Sequence, residues 1–184
     1  MSVKVISNNN NPYTKEVFSL LDNIKKFPTR KPKLEAKGRA KWGGGNRNNI
    51  GQKGEYHAFV LGKARDYTKS ELVESTYNKR YPELHSMLIK WVKWKFPKHK
   101  WNAIQINKNV STGYHFDKNN QGESLCIGVG DYKGGGVRCK LCKGEKDIDN
   151  KNKWLVYSGN KYEHKTIPHS GGTRYAVIFF QKRR

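Results

Sequence analysis

The sequence is poor in acidic residues and in cysteine, and it has no long apolar run. It holds 15 Asp and Glu residues against 37 Lys and Arg residues, which gives a formal net charge of +22. Its three cysteines, an odd number, and a polar N-terminus without an apolar signal segment argue against a disulfide-stabilised secreted domain. We therefore expect a reducing, intracellular compartment. No apolar run approaches the length that crosses a membrane, so we expect no membrane partner.

The positive charge predicts a polyanionic partner, since such a field attracts nucleic acid and other acidic surfaces. The alternative is a lysine-rich surface that binds nothing in particular. A chain of 184 residues has the length of one domain, and its 35% hydrophobic residues are enough for a buried core. We expect residues 1–55 to form an N-terminal helix and a basic loop, and residues 56–184 to form the main domain. The two parts are expected to make one compact unit without an obligate protein partner.

Residues 25–53 form a strongly basic stretch with ten Lys and Arg residues and a single acid, Glu35. Prolines and a run of three glycines exclude a continuous helix there. A basic loop with an aromatic side chain can follow a phosphate backbone and stack on a base, which makes Trp42 and Arg47 candidate substrate contacts. A solvated insert without such a role is an equal alternative.

Apolar spacing predicts helices first and strands afterwards. A helix is expected over residues 14–27, and another from Pro82, where Leu84, Leu88 and Trp91 share one face. The sequence Thr68-Lys-Ser-Glu71 is a capping box that predicts a further helix start. Strands are expected over residues 56–61, 102–107, 124–129, 136–141, 154–157 and 175–180. This order predicts an α+β protein whose β-rich half is a sandwich or jelly roll.

Two short motifs carry the chemistry. In Gly113-Tyr-His115-Phe-Asp117, a strand would direct His115 and Asp117 to the same face. Two histidines and one carboxylate on one side of an ion are typical of non-haem iron(II) oxygenases. A second histidine must come from elsewhere, and the C-terminal motif offers His164 and His169 ahead of Arg174. Arg174 opens an apolar strand, where a guanidinium needs an anion such as a carboxylate.

An HxD pair, a later histidine and an arginine ten residues beyond it resemble the 2-oxoglutarate- and iron(II)-dependent oxygenase superfamily. The segment His164-Lys-Thr-Ile-Pro168, followed by Thr173-Arg174 and an apolar strand, is most similar to the TET/J-binding-protein group of base hydroxylases. The resemblance implies a double-stranded β-helix (jelly-roll) core with supporting N-terminal helices. It further implies Fe(II) held by His115, Asp117 and His164, 2-oxoglutarate anchored by Arg174, and O2 as the oxidant. His169 lies only five residues before Arg174, which leaves too little chain for both roles and favours His164.

The same resemblance implies hydroxylation of a C–H bond, with the methyl group of 5-methylcytosine or thymine in nucleic acid as the favoured target. DNA is favoured over RNA, and a nucleus or another DNA-containing compartment follows for a eukaryotic or viral source. Three alternatives stay open: a hydroxylase of Lys or Pro side chains in proteins, an AlkB-like nucleic-acid demethylase, and a catalytically silent nucleic-acid-binding module. The intact ligand set argues against the last.

Residues beside these motifs are further candidates. Gln105 and Asn107 alternate on a predicted strand and are expected to contact the co-substrate or to serve the sheet alone. Tyr114, Lys118 and Asn119 flank the HxD pair and are candidate substrate contacts. Cys139-Lys-Leu-Cys142 has the spacing of half a zinc site, but a second pair of ligands is missing, so reduced thiols are the preferred interpretation.

Overall fold

The computed structural model describes residues 3–30, 56–66, 71–141 and 144–183, and the prediction of helices followed by a β-rich half is confirmed within them. Three short helices support a set of antiparallel strands. The helices are α1 (Thr14–Asp22), α2 (Thr76–Arg80) and α3 (Pro82–Lys95). The strands are β1 (Lys4–Ser7), β2 (Thr29–Arg30), β3 (Tyr56–Asp66), β4 (Glu71–Glu74), β5 (Ala103–Lys108), β6 (Asn120–Gly130), β7 (Lys133–Gly134), β8 (Val137–Leu141), β9 (Gly144–Ile148), β10 (Lys153–Tyr157), β11 (His164–Thr166), β12 (His169–Ser170) and β13 (Arg174–Lys182).

Eight strands form a large sheet in the order β1-β10-β6-β13-β5-β3-β2, with β4 paired to β3. Every neighbouring pair is antiparallel. A smaller sheet has the order β11-β8-β9, and β12 pairs with β7. The strands β1 and β2 come from the N-terminal 55 residues and lie at the two ends of the large sheet, so this part of the chain and the main domain share one sheet.

The two faces of the large sheet bury different partners, because successive side chains of a strand point to opposite sides. One face packs on α1 and α3 around a core that includes Leu125, Ile127 and Val129 of β6. On the opposite face, Cys126 of β6 and Leu155 of β10 pack against Val137 and Cys139 of the smaller sheet. The space between the two sheets is therefore a second interior, separate from the helix-covered core.

Helix α3 follows the expected pattern in detail. Pro82 occupies the first turn, where its missing N–H costs nothing, and Glu83 beside it suits the positive end of the helix dipole. Leu84, Leu88 and Trp91 are buried on one face, as predicted. No helix among the residues that the structure describes is both long enough and apolar enough to cross a membrane.

The helix predicted to start at Thr68–Glu71 is wrong at Glu71, which lies in a strand; residues 68–70 lie outside the described residues. Glu71 begins β4, whose residues Glu71–Glu74 pair with β3, and the next helix begins only at Thr76. Its N-cap is Ser75, whose hydroxyl accepts a hydrogen bond of 3.2 Å from the backbone N–H of Tyr77. An N-cap side chain stabilises a helix by only about 1 kcal/mol. Pairing of Glu71–Glu74 with β3 therefore decides the local structure.

Candidate metal centre

His115 and His164 are brought together by a single antiparallel bridge between distant parts of the chain. The His115 N–H donates to the His164 carbonyl at 2.9 Å, and the His164 N–H donates to the His115 carbonyl at 3.0 Å. The ring centroids are 4.3 Å apart, and the residues are 7% and 5% exposed. His115 lies in this one bridge and not in a longer strand. The backbone hydrogen bonds to His164 therefore fix the direction in which the His115 side chain points.

Asp117 completes the group. Its N–H donates to the Gly159 carbonyl at 2.8 Å, which holds the carboxylate beside the end of β10. Asp117 Oδ1 lies 3.7 Å from His115 Nε2, and Oδ2 lies 3.6 Å from His164 Nε2. These separations are too long for hydrogen bonds but suit atoms that share one ion. Within the described ranges, these three residues are the only group of His, Cys, Asp and Glu side chains placed to hold a metal.

Backbone carbonyls orient both imidazoles. His115 Nδ1 lies 2.8 Å from the Gly113 carbonyl, and His164 Nδ1 lies 2.9 Å from the Tyr162 carbonyl. A carbonyl only accepts, so each Nδ1 donates, and each Nε2, on the side of Asp117, is the nitrogen left to bind a metal. This outer support, with a neutral imidazole presenting one nitrogen, is typical of metal-ligating histidines.

Arg174 lies in the interior between the sheets with its guanidinium short of partners. The residue is 2% exposed, and its Nε has no hydrogen-bond partner. Its backbone N–H donates to Asn109 Oδ1 at 2.7 Å, which fixes the start of β13. Among the residues that the structure describes, no carboxylate forms an ion pair with it. A buried cation without an anion is costly, which indicates a ligand of negative charge.

Other buried polar atoms surround Arg174 and also lack partners. The Arg174 guanidinium carbon lies 5.7 Å from the centre of the Tyr132 ring, and the Tyr132 hydroxyl has no hydrogen-bond partner. The side chain of Asn150 donates to the Cys126 sulfur at 3.3 Å, while its own oxygen is unpartnered. Tyr132, Asn150 and Asn109 were not singled out from the sequence, because nothing local distinguishes them from ordinary loop residues.

The charges of Arg174 and of the metal ligand Asp117 both act on the buried thiol of Cys126. Burial raises the pKa of its thiol to about 12; the positive charge of Arg174 opposes this rise and the negative charge of Asp117 adds to it. Both charges therefore act on a single buried atom between the two sheets. Cys139 is also a buried, protonated thiol, and burial raises its pKa to about 11. Cys142, the other half of the proposed zinc spacing, lies outside the described residues.

His169, the alternative metal ligand, lies with the arginine and not with the triad. It belongs to β12, and its ring centre is 5.9 Å from that of Tyr132. Burial, followed by the charge of Arg174, lowers the pKa of its imidazole.

Gln105 and Asn107 lie on the site-facing side of β5, opposite Ile178 and Ala176. Their side chains bond each other at 2.8 Å, with no bond to the triad.

Tyr114 points away from the triad, to the outer face of the small sheet. Its ring lies between the ammonium groups of Lys140 and Lys165, at 4.1 and 4.5 Å, and its hydroxyl donates to Glu145 at 2.5 Å. These contacts hold the side chain on the side opposite to that of His115, and its substrate role stays a prediction. Lys118 and Asn119 are exposed beside Asp117. Trp42 and Arg47 lie outside the described residues.

Gly159→Ala is expected to lower the affinity for a divalent metal by about 10- to 100-fold. A Cβ at this position would lie 2.6 Å from Asp117 Oδ2 and would displace the carboxylate from the imidazoles. Metal titration of the folded variant measures the effect. Gly122→Ala is the control: an added Cβ there has no atom within 4 Å, and its φ of +72° makes the change cost fold stability without touching the triad. Equal metal affinity in the two variants would contradict the placement of Asp117.

Comparison with known proteins shows the fold. No family model and no curated protein matches the chain. An oxidoreductase of the 2OG-Fe(II) oxygenase family from Burkholderia pseudomallei superimposes with a TM-score of 0.53 at 14% identity, over 92% of this chain and 81% of that one. NgTET1 in complex with 5mC DNA gives 0.52 at 11% identity, over 93% of this chain and 66% of that one. A Pseudomonas putida prolyl-4-hydroxylase gives 0.49 at 12% identity, over 98% and 92%. The chain therefore shares its overall fold with 2OG-Fe(II) oxygenases.

Proposed function

We propose that this protein is an Fe(II)- and 2-oxoglutarate-dependent dioxygenase built on a double-stranded β-helix. One observation carries the proposal: a buried triad of two histidines and one aspartate lies in the same interior as an arginine that has no anion. Two neutral imidazoles and a carboxylate are the donor set of non-haem iron oxygenases, and they leave positions on the ion for other ligands. The shared fold with a 2OG-Fe(II) oxygenase supports the same assignment.

The residues around Arg174 suit 2-oxoglutarate. A guanidinium pairs with a carboxylate through two parallel hydrogen bonds, and the unpartnered hydroxyl of Tyr132 offers a further donor. One end of a dicarboxylate bound there would satisfy these atoms, while the keto acid end is free to ligate the metal. His115, Asp117 and His164 would hold the iron. Together, iron, 2-oxoglutarate and O2 supply an oxidant that hydroxylates a C–H bond and leaves succinate and carbon dioxide.

The chain's own residues supply position and protection. The backbone carbonyls behind His115 and His164 each accept a hydrogen bond from Nδ1, which directs Nε2 of both rings toward Asp117. Cys126, Leu155 and Tyr157 form an apolar surround between the sheets, which limits the access of water. The Cys126 sulfur does not belong to the group of ligand atoms formed by His115, Asp117 and His164, so the donor set keeps two histidines and one carboxylate.

For the substrate, we propose the methyl group of a pyrimidine base in nucleic acid, 5-methylcytosine or thymine, with DNA preferred. The net charge of +22 favours a polyanion. The fold is shared with a TET protein that was solved with 5mC DNA. A base inside a duplex is out of reach of a buried ion, so the target base must leave the stack or belong to a single strand. Action inside a cell, in a compartment that holds DNA, follows from this substrate.

Succinate formation tests the chemistry. Purified protein with Fe(II), O2 and 2-oxoglutarate should form succinate, and His115→Ala should reduce this to the level of the iron-free reaction. His85→Ala, a half-buried histidine on α3, is the matched control and should keep the activity. Unchanged turnover in His115→Ala would overturn the site assignment.

Mass spectrometry of nucleosides tests the substrate. DNA and RNA with and without 5-methylcytosine are incubated with the active protein and digested, and an oxidised pyrimidine is the expected product. An active protein that leaves every nucleoside unchanged while hydroxylating Lys or Pro in a peptide pool would move the substrate to protein side chains.

A further inference from the structure

The end of helix α3 carries an exposed surface that combines lysines with a large aromatic side chain. Lys90, Lys93 and Trp94 follow one another at helical spacing on one side of the helix, and the loop beyond it adds Lys98 and Lys100. All five side chains are exposed, and Trp94 has 44% of its surface free, which is unusual for a large aromatic residue. We refer to these five residues as the α3 surface.

The lysines of the α3 surface have no acidic partners within the part of the chain that the structure describes. Some exposed lysines elsewhere have such partners, as Lys140 has in Glu163 and Lys153 in Asp149, each at 2.7 Å, while others such as Lys79 have none among the described residues. The α3 surface differs in grouping its lysines around an exposed indole. The helix dipole favours a basic residue such as Lys93 in the last turn, but it gives no reason for Lys98 or Lys100 beyond the helix end. Four unpaired charges around an exposed indole therefore form a surface suited to an anionic partner.

A further lysine lies beside the exposed indole of Trp94. The Lys95 ammonium lies 5.9 Å from the ring centre, within the range of a cation–π contact. The apolar side of the same helix, including Leu88 and Trp91, is fully buried against the sheet. A membrane would need that apolar side, so insertion into lipid is disfavoured. Basic side chains around one flat aromatic ring are instead typical of surfaces that follow a nucleic-acid backbone and stack on a base.

The α3 surface and the metal triad lie on opposite sides of the large sheet. Helix α3 packs on the face formed by Ile127 and Val129, whereas Tyr157, whose ring centre is 5.0 Å from that of His164, projects from the other face. A strand held at the α3 surface is thus not the stretch whose base reaches the metal. Contact there adds affinity without occupying the catalytic interior.

We propose that the α3 surface binds a single-stranded segment of nucleic acid, with Lys90, Lys93, Lys98 and Lys100 contacting phosphates and Trp94 stacking on an unpaired base. Each lost phosphate contact should reduce the slope of log affinity against log salt by about 0.7 for a single strand. Loss of base stacking should weaken binding by roughly 5- to 150-fold, which corresponds to about 1–3 kcal/mol. This surface needs no metal, so its binding can be measured without iron or 2-oxoglutarate.

The test compares two quadruple variants of equal charge by titration of a labelled oligonucleotide over a range of salt. In the first, Lys90, Lys93, Lys98 and Lys100 become Gln; in the control, the exposed Lys4, Lys26, Lys79 and Lys146 become Gln. We expect the first variant to lose affinity for single-stranded DNA and most of the salt slope, and the control to lose much less. Equal losses would show that only the overall charge matters and would overturn the proposal.

A second comparison isolates the indole. Trp94→Ala should weaken binding of single-stranded DNA by the stacking factor given above and leave binding of a fully paired duplex of the same length unchanged. Equal loss on both forms, or no loss on either, would exclude stacking at Trp94.

Retained binding of the lysine variant to DNA, together with lost binding to vesicles of anionic phospholipid, would assign the surface to a membrane. Succinate formation in the absence of nucleic acid should be unaffected in all these variants, which separates this proposal from the oxygenase proposal.

Discussion

His164→Ala is expected to lower the affinity for Fe(II) by at least about 100-fold and to stop succinate formation, because it removes a direct ligand and not merely an outer-shell support. Its Nε2 lies 3.6 Å from Asp117 Oδ2, on the side where an ion would be held. Metal titration and succinate assays measure the two effects. His164→Gln is a second variant, because it retains the size of the side chain if alanine destabilises the fold.

His169→Ala is the matched control for this prediction. Both histidines precede Arg174 and both were candidate ligands, but the ring of His169 contacts Tyr132 and no member of the triad. Metal affinity in His169→Ala should equal that of the unchanged protein. If His169→Ala loses the metal while His164→Ala keeps it, the assignment of the second histidine is reversed.

Arg174→Met should abolish the stabilisation of the protein by 2-oxoglutarate. In the absence of 2-oxoglutarate, the same substitution should not destabilise the protein. Two charge-assisted hydrogen bonds to a carboxylate are worth about 1.5–3 kcal/mol each, so losing both lowers the affinity by about 100-fold or more. Without 2-oxoglutarate the buried guanidinium has an unpartnered Nε, so an apolar side chain of similar length should leave the free energy of unfolding unchanged or higher.

Thermal unfolding with and without 2-oxoglutarate measures both halves of this prediction. Manganese(II) under nitrogen replaces iron, so that no turnover occurs. At a concentration of 100 times its dissociation constant, the co-substrate should stabilise the unchanged protein by about 2.7 kcal/mol. Arg174→Lys is the comparison, since it keeps the charge but loses the planar fork. A strong 2-oxoglutarate response in Arg174→Met would place the anchor elsewhere.

The sequence predicted correctly those features that depend on the spacing of residues along one helix or strand. The apolar spacing of α3 predicted its buried face, since this helix buries one side against a single core. The apolar run over residues 175–180 predicted β13, which is buried on both faces. The HxD spacing predicted two side chains directed to one point. The structure brings His115 and Asp117 together through backbone bonds to His164 and Gly159, two partners more than forty positions away in the chain. No local pattern could identify those partners.

What could not be predicted from the sequence has one physical cause. The capping box at Thr68–Glu71 was judged from neighbours in the chain, and those neighbours could not show where the Tyr114 side chain lies either. In the folded protein, Glu71 pairs with β3, and Tyr114 lies between two lysines of the small sheet. Tyr132 and Asn150 could not be foreseen for the same reason, because their buried, unpartnered atoms exist only once the two sheets enclose them.

The bridge between His115 and His164 has a consequence for the lifetime of the protein. An ion held by both residues closes the long loop that contains β6, β8, β9 and β10, and so acts as a reversible cross-link. Such a link restricts the unfolded chain, and binding to the folded form alone shifts the folding equilibrium by mass action. Chains made under iron starvation would then unfold locally more often at the small sheet and meet proteases sooner. Iron supply would set how much of this protein a cell keeps, as well as how much of it is active.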